Sequence, residues 1–502
     1  MSGNCIAIDI GCSSVKVIAG KLNGKNIGVK AEKTLTNKPL ALNGHLYIDV
    51  YQLYDSIKNA IRQLSKNGCK FDSIGIDTYG NGYGIFDKDM SMIGLPFFYK
   101  DSRTQGILSK ITQIVALREI YQQTGVYPTD IRVLVQLYYE TMTKSTRIEN
   151  GKHLLLLPDL FGYFLTGVKR AERSMASVAN LLSRRNDDWC FELMQKLSIP
   201  TDIFPPLVEG GREDDRSSLL PEVMDELQCK NIRLACVTSH DTESALLAAP
   251  MLDNKTLFVS LGSSVICGAQ TTMPIICDTG FTSGFKNMYG AFGSNSLCRD
   301  FNGLWMLEQC MELWRNVNPH ISYSDVIHSC ESAGENHTFF DVCDSSFRFY
   351  KGTLIEAIKE YCLRTDQPIV NSVGEIANCI LESIALQIKW TYAQIKQVIG
   401  RSDFHGISIV GGGVRNPLLM QMISDALGLP LYRGSPFSAS MGNILMQNYA
   451  AHELNSLEEI KEVACNSCDM RIITPVGLMD RWDTALSRME KHRLILREEE
   501  EI

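Results

Sequence analysis

Apolar and polar residues follow two different periods along this chain, one typical of strands and one typical of helices. Short apolar runs such as "CIAIDIG" and "SIGIDTYG" predict buried strands, whereas apolar residues recur at helical spacing from Tyr51 to Leu64. Such strands and helices alternate in both halves of the sequence. We therefore predict α/β domains with largely parallel sheets.

One short pattern occurs twice, about half a chain apart. "CIAIDIGCSSVKVIAGKL" begins at Cys5, and "TLFVSLGSSVICGAQT" begins at Thr256. Each copy reads as a strand, a glycine with small hydroxyl residues, and a second strand, so that Gly11 matches Gly262. We expect two domains of one design, with a boundary among the turn residues of 249–256.

The paired hairpins suggest phosphate binding. A tight turn of glycine and hydroxyl residues exposes N–H groups and side-chain oxygens to one point, where they can hold phosphate oxygens. Asp9 ends the first strand, where a carboxylate can hold Mg²⁺ directly or through water, and Lys16 adds a positive charge. For a single hairpin of this kind an ordinary β-turn is the favoured explanation, but two matching copies leave a phosphate clamp at an interdomain cleft and two structural turns equally open.

A second glycine-rich turn lies in "ISIVGGGVRNPLLMQMISDALGLP", which starts at Ile407. Asn416 is a typical N-cap, Pro417 suits the first helical position, and Gly428 is a typical stop, which together predict a helix. The three glycines before it would let a flat ligand or a sugar–phosphate lie against bare backbone. The spacing matches neither a dinucleotide fingerprint nor a Walker loop, and a purely structural turn is the alternative.

The segment "CVTSHDTESALLAAP", which starts at Cys236, has two interpretations. The apolar run 234–237 predicts a buried strand, and the small apolar residues after Thr242 predict a helix. Thr238 and Asp241 have the spacing of a capping box, which the local pattern favours. Alternatively, Asp241 is a catalytic base at the carboxyl end of a strand.

Composition narrows the class of protein. The chain has 502 residues, 45% of them apolar and 21% charged, as in an ordinary globular protein of two or more domains. A net charge of −8 argues against nucleic acid or an anionic membrane as the main partner. The pattern at the start of the sequence predicts a strand and not a signal-like leader, no uninterrupted apolar stretch reaches bilayer length, and the sixteen cysteines are scattered. We expect a cytoplasmic protein with reduced thiols.

Ten ordered segments together resemble the FGGY carbohydrate kinases, and within them the rhamnulokinases. They are "AIDIGCSSVKV", "IGIDTYG", "FYKDSRT", "LPDLFGYFLTG", "DDWCFELMQKLSIP", "SHDTESA", "NGLWMLEQ", "GEIANCILESIAL", "IVGGGVRNPLL" and "ASMGNIL". The resemblance implies two actin-like (ribonuclease H-like) α/β domains with ATP and a ketose in the cleft between them. It implies a sugar-binding domain at 1–250, a nucleotide-binding domain at 251–450 and a helical extension at 451–502.

The resemblance also implies roles for individual residues. Asp241 would accept the proton of the sugar hydroxyl that attacks the γ-phosphate of ATP. The residues expected to bind the sugar are Gly80, His240, Asp241, Thr242 and Asp300. The residues expected to bind ATP are Cys12, Ser13, Ser14, Val15, Lys16, Ser263, Glu308 and Gly412. With Mg²⁺ near Asp9, the expected reaction is phosphorylation of a primary hydroxyl of L-rhamnulose by a monomer or homodimer.

Several positions depart from the rhamnulokinase pattern. The sugar loop usually reads Thr-Trp-Gly-Val-Asp, whereas residues 78–82 read Thr-Tyr-Gly-Asn-Gly. Lys16 stands in place of an Arg, Asp300 in place of an Asn, and Glu308 in place of a Gln. The second phosphate loop, usually Gly-Thr-Trp, reads Gly-Ser-Ser at residues 262–264. The identity of the sugar does not follow from the sequence.

Three hypotheses therefore stay open. The first is a kinase for L-rhamnulose or for another ketose such as L-fuculose or a pentulose. The second is a catalytically weak sensor that binds sugar and nucleotide, which the altered loop at Gly82 would favour. The third is an actin-like ATPase or chaperone, against which the segments "SHDT" and "YKDSRT" argue, because such proteins need no polyol pocket.

Overall fold

A computed structural model describes residues 4–66, 70–212, 217–334, 336–347, 352–477 and 479–500. Strands and helices alternate along the described chain. The strands are β1 (Asn4–Ile10), β2 (Ser14–Asn23), β3 (Asn26–Thr36), β4 (Leu40–Leu42), β5 (His45–Tyr47), β6 (Ser73–Thr78), β7 (Tyr83–Phe86), β8 (His153–Leu156), β9 (Ala171–Glu172), β10 (Leu182–Ser183), β11 (Asp188–Trp189), β12 (Leu207–Val208), β13 (Ser217–Ser218), β14 (Arg233–Leu234), β15 (Thr256–Leu261), β16 (Ser264–Thr271), β17 (Lys286–Tyr289), β18 (Asn295–Asn302), β19 (Gly406–Val410), β20 (Leu431–Arg433) and β21 (Arg471–Ile473).

The helices vary from single turns to seven turns. They are α1 (Val50–Lys66), α2 (Ile107–Ile111), α3 (Leu117–Thr124), α4 (Val133–Met142), α5 (Thr146–Asn150), α6 (Leu157–Thr166), α7 (Arg173–Val178), α8 (Phe191–Lys196), α9 (Pro221–Leu227), α10 (Asp241–Leu247), α11 (Asp278–Thr282), α12 (Trp305–Val317), α13 (Tyr323–Ser332), α14 (Leu354–Arg364), α15 (Val373–Ile399), α16 (Pro417–Leu427), α17 (Ser438–Ala450), α18 (Leu457–Ser467) and α19 (Met479–Glu500). Within the described residues, no helix combines the length and the apolar character that crossing a membrane requires.

The chain forms two compact units, each assembled from three stretches. Unit 1 comprises Met1–Ala249, Gln270–Leu297 and Phe437–Cys468, and unit 2 comprises Pro250–Ala269, Cys298–Pro436 and Asp469–Ile502. Segments that are distant in sequence therefore complete each unit.

Unit 1 is built on a six-stranded sheet with the order β13, β14, β6, β1, β2, β3. The central strands β14, β6 and β1 are parallel, and β2 and β3 extend the sheet as antiparallel strands. Even-numbered residues of β1, such as Ile6 and Ile8, face a core that includes α1, α6 and α9. The intervening Cys5 and Ala7 face a second core that includes α10, α17 and α18. Because both faces of β1 are covered, its residues from Cys5 to Ile8 are all apolar.

Unit 2 places β16, β15, β19, β20 and β21 side by side in that order. Its strands β15, β19 and β20 are parallel, with β16 and β21 antiparallel to their neighbours. The long helix α15 begins with a capping box between Ser372 and Glu375 and ends at Gly400, whose φ is 72°. Ion pairs hold α19 on this unit, among them Arg493 Nε to Asp341 Oδ2 at 2.6 Å.

Where local signals are strong, the predicted elements are confirmed. Both hairpins form, and α1 covers the helical stretch around Tyr51 to Leu64. α16 starts at Pro417 after its N-cap Asn416, whose side chain accepts a hydrogen bond from Leu419 N at 3.0 Å. It ends before Gly428, which has a left-handed φ of 65°.

The predicted strand at 234–237 is shorter than expected. Only Arg233–Leu234 is a strand, although the following apolar residues are buried. Ala235 N still donates to Ile74 O of β6 at 2.8 Å, and the carbonyl oxygen of Cys236, on the opposite side of the chain, accepts from Gly211 N. This stretch is therefore bonded on both sides although the regular strand ends at Leu234.

The contact between α10 and α17 leaves no room for a side chain at Gly442. A Cβ at this position would overlap the carbonyl oxygen of Ser244, a backbone atom that cannot turn aside. We expect Gly442→Ala to lower the free energy of unfolding by at least about 2 kcal/mol, since overpacking outweighs the gain in helix propensity of roughly 1 kcal/mol. Chemical denaturation measures this difference.

Gly162→Ala in α6 is the matched control. There the nearest atom to an added Cβ is Leu234 Cδ2, at 3.2 Å, and this is the end of a flexible side chain. The control variant should stay within about 1 kcal/mol of the parent protein. Equal stability of the two variants would contradict the close approach of α17 to α10.

Candidate active site

Two carboxylates lie side by side near the ends of β1 and β6. The strands are parallel, and their register pairs Asp9 with Asp77. Residues paired in this way share one face of a sheet, so the two side chains point to the same side. Asp9 is only 4% exposed, and Asp77 is fully buried. Strand pairing therefore brings two acidic groups together inside unit 1.

Asp77 is held as a buried acid. Its Oδ2 accepts a hydrogen bond from Asn443 Nδ2 at 2.7 Å, whereas its Oδ1 has no partner among the described residues. Burial raises the pKa of Asp77 well above its usual range, and the charge of Asp9 raises it further. Asp77 is absent from the residues predicted from the sequence. The signal was present, because "AIDIG" and "GIDTY" each place an aspartate near the end of a strand.

Lys16 compensates the charge of Asp9. It lies opposite Asp9 on the antiparallel strand β2, and its Nζ is 3.0 Å from Asp9 Oδ2. The Lys16 side chain keeps 28% of its surface exposed. The first hairpin thus supplies both charges that its sequence suggested.

Backbone hydrogen bonds fix the turn between β1 and β2. Gly11 N donates to the carbonyl oxygen of Ser14 at 2.9 Å, and Asn37 Nδ2 donates to the carbonyl oxygen of Gly11 at 2.7 Å. In unit 2, Gly262 N donates to Ser264 O at 3.1 Å in the corresponding place. Both turns are therefore closed by a hydrogen bond from the glycine N–H to a serine carbonyl oxygen, although the first turn is one residue longer.

The predicted phosphate-binding stretch 12–15 offers different groups at each position. Ser13 is exposed and Ser14 is half-buried, so their hydroxyl groups are within reach of solvent. Val15 is buried in the core and has only backbone atoms to offer. Cys12 Sγ lies 3.4 Å from Tyr99 Oη, and burial raises the pKa of its thiol to about 11. The thiol is therefore protonated at neutral pH.

Asp241 is the first residue of α10, on the same sheet edge as Asp77. Thr78 N, at the end of β6, donates to Ser239 O at 2.8 Å, and Thr78 pairs with His240 as in a parallel ladder. Because the chain pairs with β6 up to His240, the helix begins only after that residue. His240 is its N-cap, but the His240 side chain makes no capping hydrogen bond, and Thr238 Oγ1 has no partner among the described residues. The capping-box interpretation is wrong.

The carboxylate of Asp241 is accessible but electrostatically perturbed. Its side chain is 30% exposed, and its Oδ1 accepts a hydrogen bond from Thr242 N at 2.6 Å. Burial raises the pKa of Asp241 to about 7, with a further contribution from the charge of Asp9. A carboxylate with this pKa is matched to general-base work near neutral pH.

The other predicted sugar contacts of unit 1 surround Asp241. His240 Nε2 is 3.6 Å from Asp241 Oδ1, and Thr242 Oγ1 is 3.2 Å from the same oxygen. Gly80 is next to His240, because a Cβ on Gly80 would lie 3.7 Å from His240 Cδ2. These four predicted residues therefore form one cluster.

The altered sugar loop has an apolar environment. Tyr79 is buried, and its ring packs against the rings of Phe98 and Tyr99. A Cβ added to Gly82 would meet Leu157 at 3.1 Å and Ile48 at 3.5 Å. Position 82 therefore offers aliphatic surface and no polar side chain.

In unit 2, the second hairpin turn meets the start of α12. Ser263 O accepts hydrogen bonds from Gly303 N at 3.0 Å and from Trp305 N at 3.1 Å. Ser263 Oγ lies 3.4 Å from Glu308 Oε2 in the first turn of α12, a weak hydrogen bond. The structure thus brings together two of the residues predicted to bind ATP.

The glycine turn after β19 packs against the same hairpin. A Cβ at Gly411 or Gly413 would overlap Leu261, the last residue of β15, whereas one at Gly412 would meet no atom among the described residues within 4 Å. Packing within the protein therefore explains the outer two glycines but not Gly412. An open backbone position of this kind suits a ligand that lies against the chain.

Asp300, the remaining predicted sugar contact, lies on β18 and is half-buried. It is close enough to Cys343 for its charge to raise the pKa of that thiol, although burial is the main cause of the shift. Its neighbour Arg299 stacks on Trp390, with the guanidinium carbon 4.7 Å from the ring centre.

The carboxylates of unit 1 fit a magnesium site whose remaining ligands would come from substrate and water. Among the residues that the structure describes, no three His, Cys, Asp or Glu side chains form a metal-binding group. Mg²⁺ is usually held by one or two carboxylates together with substrate phosphates and water. Asp9 and the unpartnered Oδ1 of Asp77 are oxygen donors of this type.

Two long stretches of the chain match domains of one protein family. The N-terminal domain of the FGGY family of carbohydrate kinases matches residues 4–244, and the C-terminal domain of that family matches residues 257–451. A rhamnulokinase of Bacteroides thetaiotaomicron is 27% identical over 485 residues, which are 97% of this chain and 98% of that protein.

Solved structures share the fold. A ligand-bound xylulose kinase from Lactobacillus acidophilus has a TM-score of 0.78 at 13% identity, covering 98% of this chain and 97% of that one. A Plasmodium falciparum glycerol kinase with ADP has a TM-score of 0.77 at 15% identity, covering 97% of each chain. The prediction of two actin-like α/β domains is confirmed. This chain is a sugar kinase that belongs to the FGGY family of carbohydrate kinases.

Proposed function

We propose that this protein transfers the γ-phosphoryl group of ATP to the primary hydroxyl of L-rhamnulose, forming L-rhamnulose 1-phosphate. The similarity to a rhamnulokinase extends over 97% of the chain and supports this choice of sugar. L-Fuculose and the pentuloses present the same kind of hydroxyl group, and they are the alternative substrates.

The observation that carries the proposal is the placement of Asp241. Asp241 is the first residue of α10 and lies close to Asp9 and Lys16. Its side chain is 30% exposed, and the pKa of its carboxyl group is raised to about 7. Phosphoryl transfer passes through a loose transition state, so the protein chiefly positions the reactants and neutralises charge. Asp241 would orient the sugar hydroxyl and accept its proton late, as the new bond to phosphorus forms. His240, Thr242 and the backbone of Gly80 would hold the remainder of the sugar.

Phosphate binding in unit 1 would use the first hairpin. The turn at residues 12–14 and the ammonium group of Lys16 would donate to phosphate oxygens, with Val15 taking part only through its backbone. Asp9 would hold Mg²⁺, directly or through water. When bound, the ion would neutralise negative charge on the phosphates. Lys16 forms an ion pair with Asp9 in the structure, and the same ammonium group would donate to a phosphate oxygen when ATP binds.

Nucleotide binding in unit 2 would use Ser263, Glu308 and Gly412. The Ser263 hydroxyl lies beside Glu308 and is a donor suited to a phosphate oxygen. Gly412 has room above its α-carbon for a flat group, which an adenosine moiety would fill.

Asp241→Asn tests the proposed base directly. The amide keeps the size of the side chain but cannot accept the proton, so we expect kcat to fall about 10²–10⁴-fold. The KM for ATP should change little, because Asp241 would contact the sugar. Steady-state kinetics with L-rhamnulose and a thermal melt of the same purified protein measure both effects.

Thermal stability separates catalysis from folding in this variant. The backbone N–H of Thr242 can still donate to the oxygen of the introduced side-chain amide, so the melting temperature should stay close to that of the parent. Near-normal kcat in a folded Asp241→Asn protein would contradict the assignment of the base.

The raised pKa of Asp241 predicts a pH dependence. Only the deprotonated carboxylate accepts a proton, so kcat/KM should fall about tenfold per pH unit below about pH 7 and level off above it. An aspartate with an ordinary pKa of roughly 4 would give a flat profile over this range. Both substrates must be kept well below saturation so that the ionisation of the free enzyme is observed. A flat profile from pH 5.5 to pH 8 would contradict the raised pKa.

Gly82 and Tyr79 predict a broadened choice of sugar. The loop lacks a carboxylate that rhamnulokinases usually have, and apolar atoms of Leu157 and Ile48 line this position. Losing one polar contact weakens discrimination between sugars that differ in a hydroxyl group. We expect kcat/KM for L-fuculose, L-xylulose or L-ribulose to reach within about tenfold of the L-rhamnulose value. An exclusive preference for L-rhamnulose would show that the changes are neutral.

A further inference from the structure

The two residues before Asp241 are clamped on both sides. On one side, Thr78 N of β6 donates to the carbonyl oxygen of Ser239 at 2.8 Å. On the other side, the backbone N–H groups of Ser239 and His240 both donate to side chains of the β9–α7 segment. The start of α10 therefore depends on side chains that are more than sixty residues away in sequence.

Glu172 and Ser174 supply the acceptors of this second side. Glu172 Oε2 accepts from Ser239 N at 3.1 Å, and Ser174 Oγ accepts from His240 N at 3.0 Å. The Ser174 hydroxyl in turn donates to Glu172 Oε2, and Ser174 N donates to the same oxygen at 3.1 Å. One carboxylate oxygen and one hydroxyl group thus bind both N–H groups that lead into Asp241.

The clamp is itself anchored in the core of unit 1. Glu172 ends β9, pairs with Val208 of β12, and is the N-cap of α7. Its own N–H donates to Asp159 Oδ2 in the first turn of α6, at 3.3 Å. Glu172 is 2% exposed, and Ser174 is fully buried. A carboxylate at this depth is costly unless donors surround it, so the group is fixed by the bonds it makes.

We propose that Glu172 and Ser174 are positioning residues of the kinase reaction. By holding the N–H groups of Ser239 and His240, they fix the first turn of α10 and with it the direction of the Asp241 carboxylate. This role rests on the proposed function, in which Asp241 is the base. A displacement of about 1 Å at a reacting group can reduce a rate by roughly a hundredfold.

A matched control is present in the same unit. Glu140 is 1% exposed and also accepts from a serine hydroxyl, that of Ser145 at 3.0 Å, and from Tyr83 Oη at 2.7 Å. Its hydrogen-bond partners lie in other elements than the segment before Asp241. Glu140→Gln therefore perturbs a buried carboxylate without loosening the start of α10.

The test compares Glu172→Gln, Glu172→Ala, Ser174→Ala and Glu140→Gln with the parent and with Asp241→Asn, using kcat, the KM for ATP and thermal melts. Glutamine retains one acceptor oxygen, so we expect kcat to fall about tenfold in Glu172→Gln and further in Glu172→Ala. Ser174→Ala should also lose about tenfold. The KM for ATP should stay within about twofold in all three variants. Glu140→Gln should lower the melting temperature but keep kcat within about twofold of the parent.

Two results would overturn the positioning role while leaving the base in place. One is a kcat within twofold of the parent in folded Glu172→Gln and Ser174→Ala when Asp241→Asn is inactive. The other is an equal loss of kcat in Glu140→Gln, which would assign the effect to general loosening of the unit. If Asp241→Asn itself retains kcat, the proposed function fails and the positioning role fails with it. Glu172→Gln decides the test if Glu172→Ala does not fold.

Discussion

The parallel register between β1 and β6 is the constraint on which the rest of the site in unit 1 depends. It pairs Asp9 with Asp77, and the next residue of β6, Thr78, binds the backbone just before Asp241. A shift by one residue would turn each of these side chains to the opposite face of the sheet. The residues of β1 oppose such a shift because the large Ile6 and Ile8 fill one core and the small Cys5 and Ala7 the other, so that a shift would exchange large for small side chains in both.

This arrangement concentrates acidic groups where burial disfavours their charge. Lys16 offsets Asp9, and Asn443 donates to Asp77, but burial still raises the pKa of both Asp77 and Asp241. An arrangement selected for stability alone would avoid three neighbouring carboxylates. The unfavourable electrostatics therefore mark this edge of the sheet as functional. A general base benefits from a raised pKa, whereas a purely structural aspartate does not.

The sequence predicts features that local interactions determine and misses those that depend on contacts between distant segments. The ends of α16 are correct because Asn416, Pro417 and Gly428 act on their own backbone. The start of α10 was misjudged in the capping interpretation, because pairing with β6 and contacts from Glu172 override the local pattern. Asn443, Glu172 and Ser174 reach the site from distant segments, and no local spacing marks them. The packing of segments 270–297 and 437–468 with unit 1 is likewise set by long-range contacts.

The most direct measurement of the central claim is the identity of the phosphorylated product. ³¹P NMR of a reaction with ATP, Mg²⁺ and L-rhamnulose follows ADP, inorganic phosphate and sugar phosphate at the same time. We predict one new phosphomonoester resonance whose intensity grows in step with the amount of ADP formed, and no turnover without the sugar. With Asp241→Asn, neither the sugar phosphate nor ADP should accumulate at a comparable rate. Inorganic phosphate released at the same rate with and without sugar would contradict a sugar kinase and indicate an ATPase.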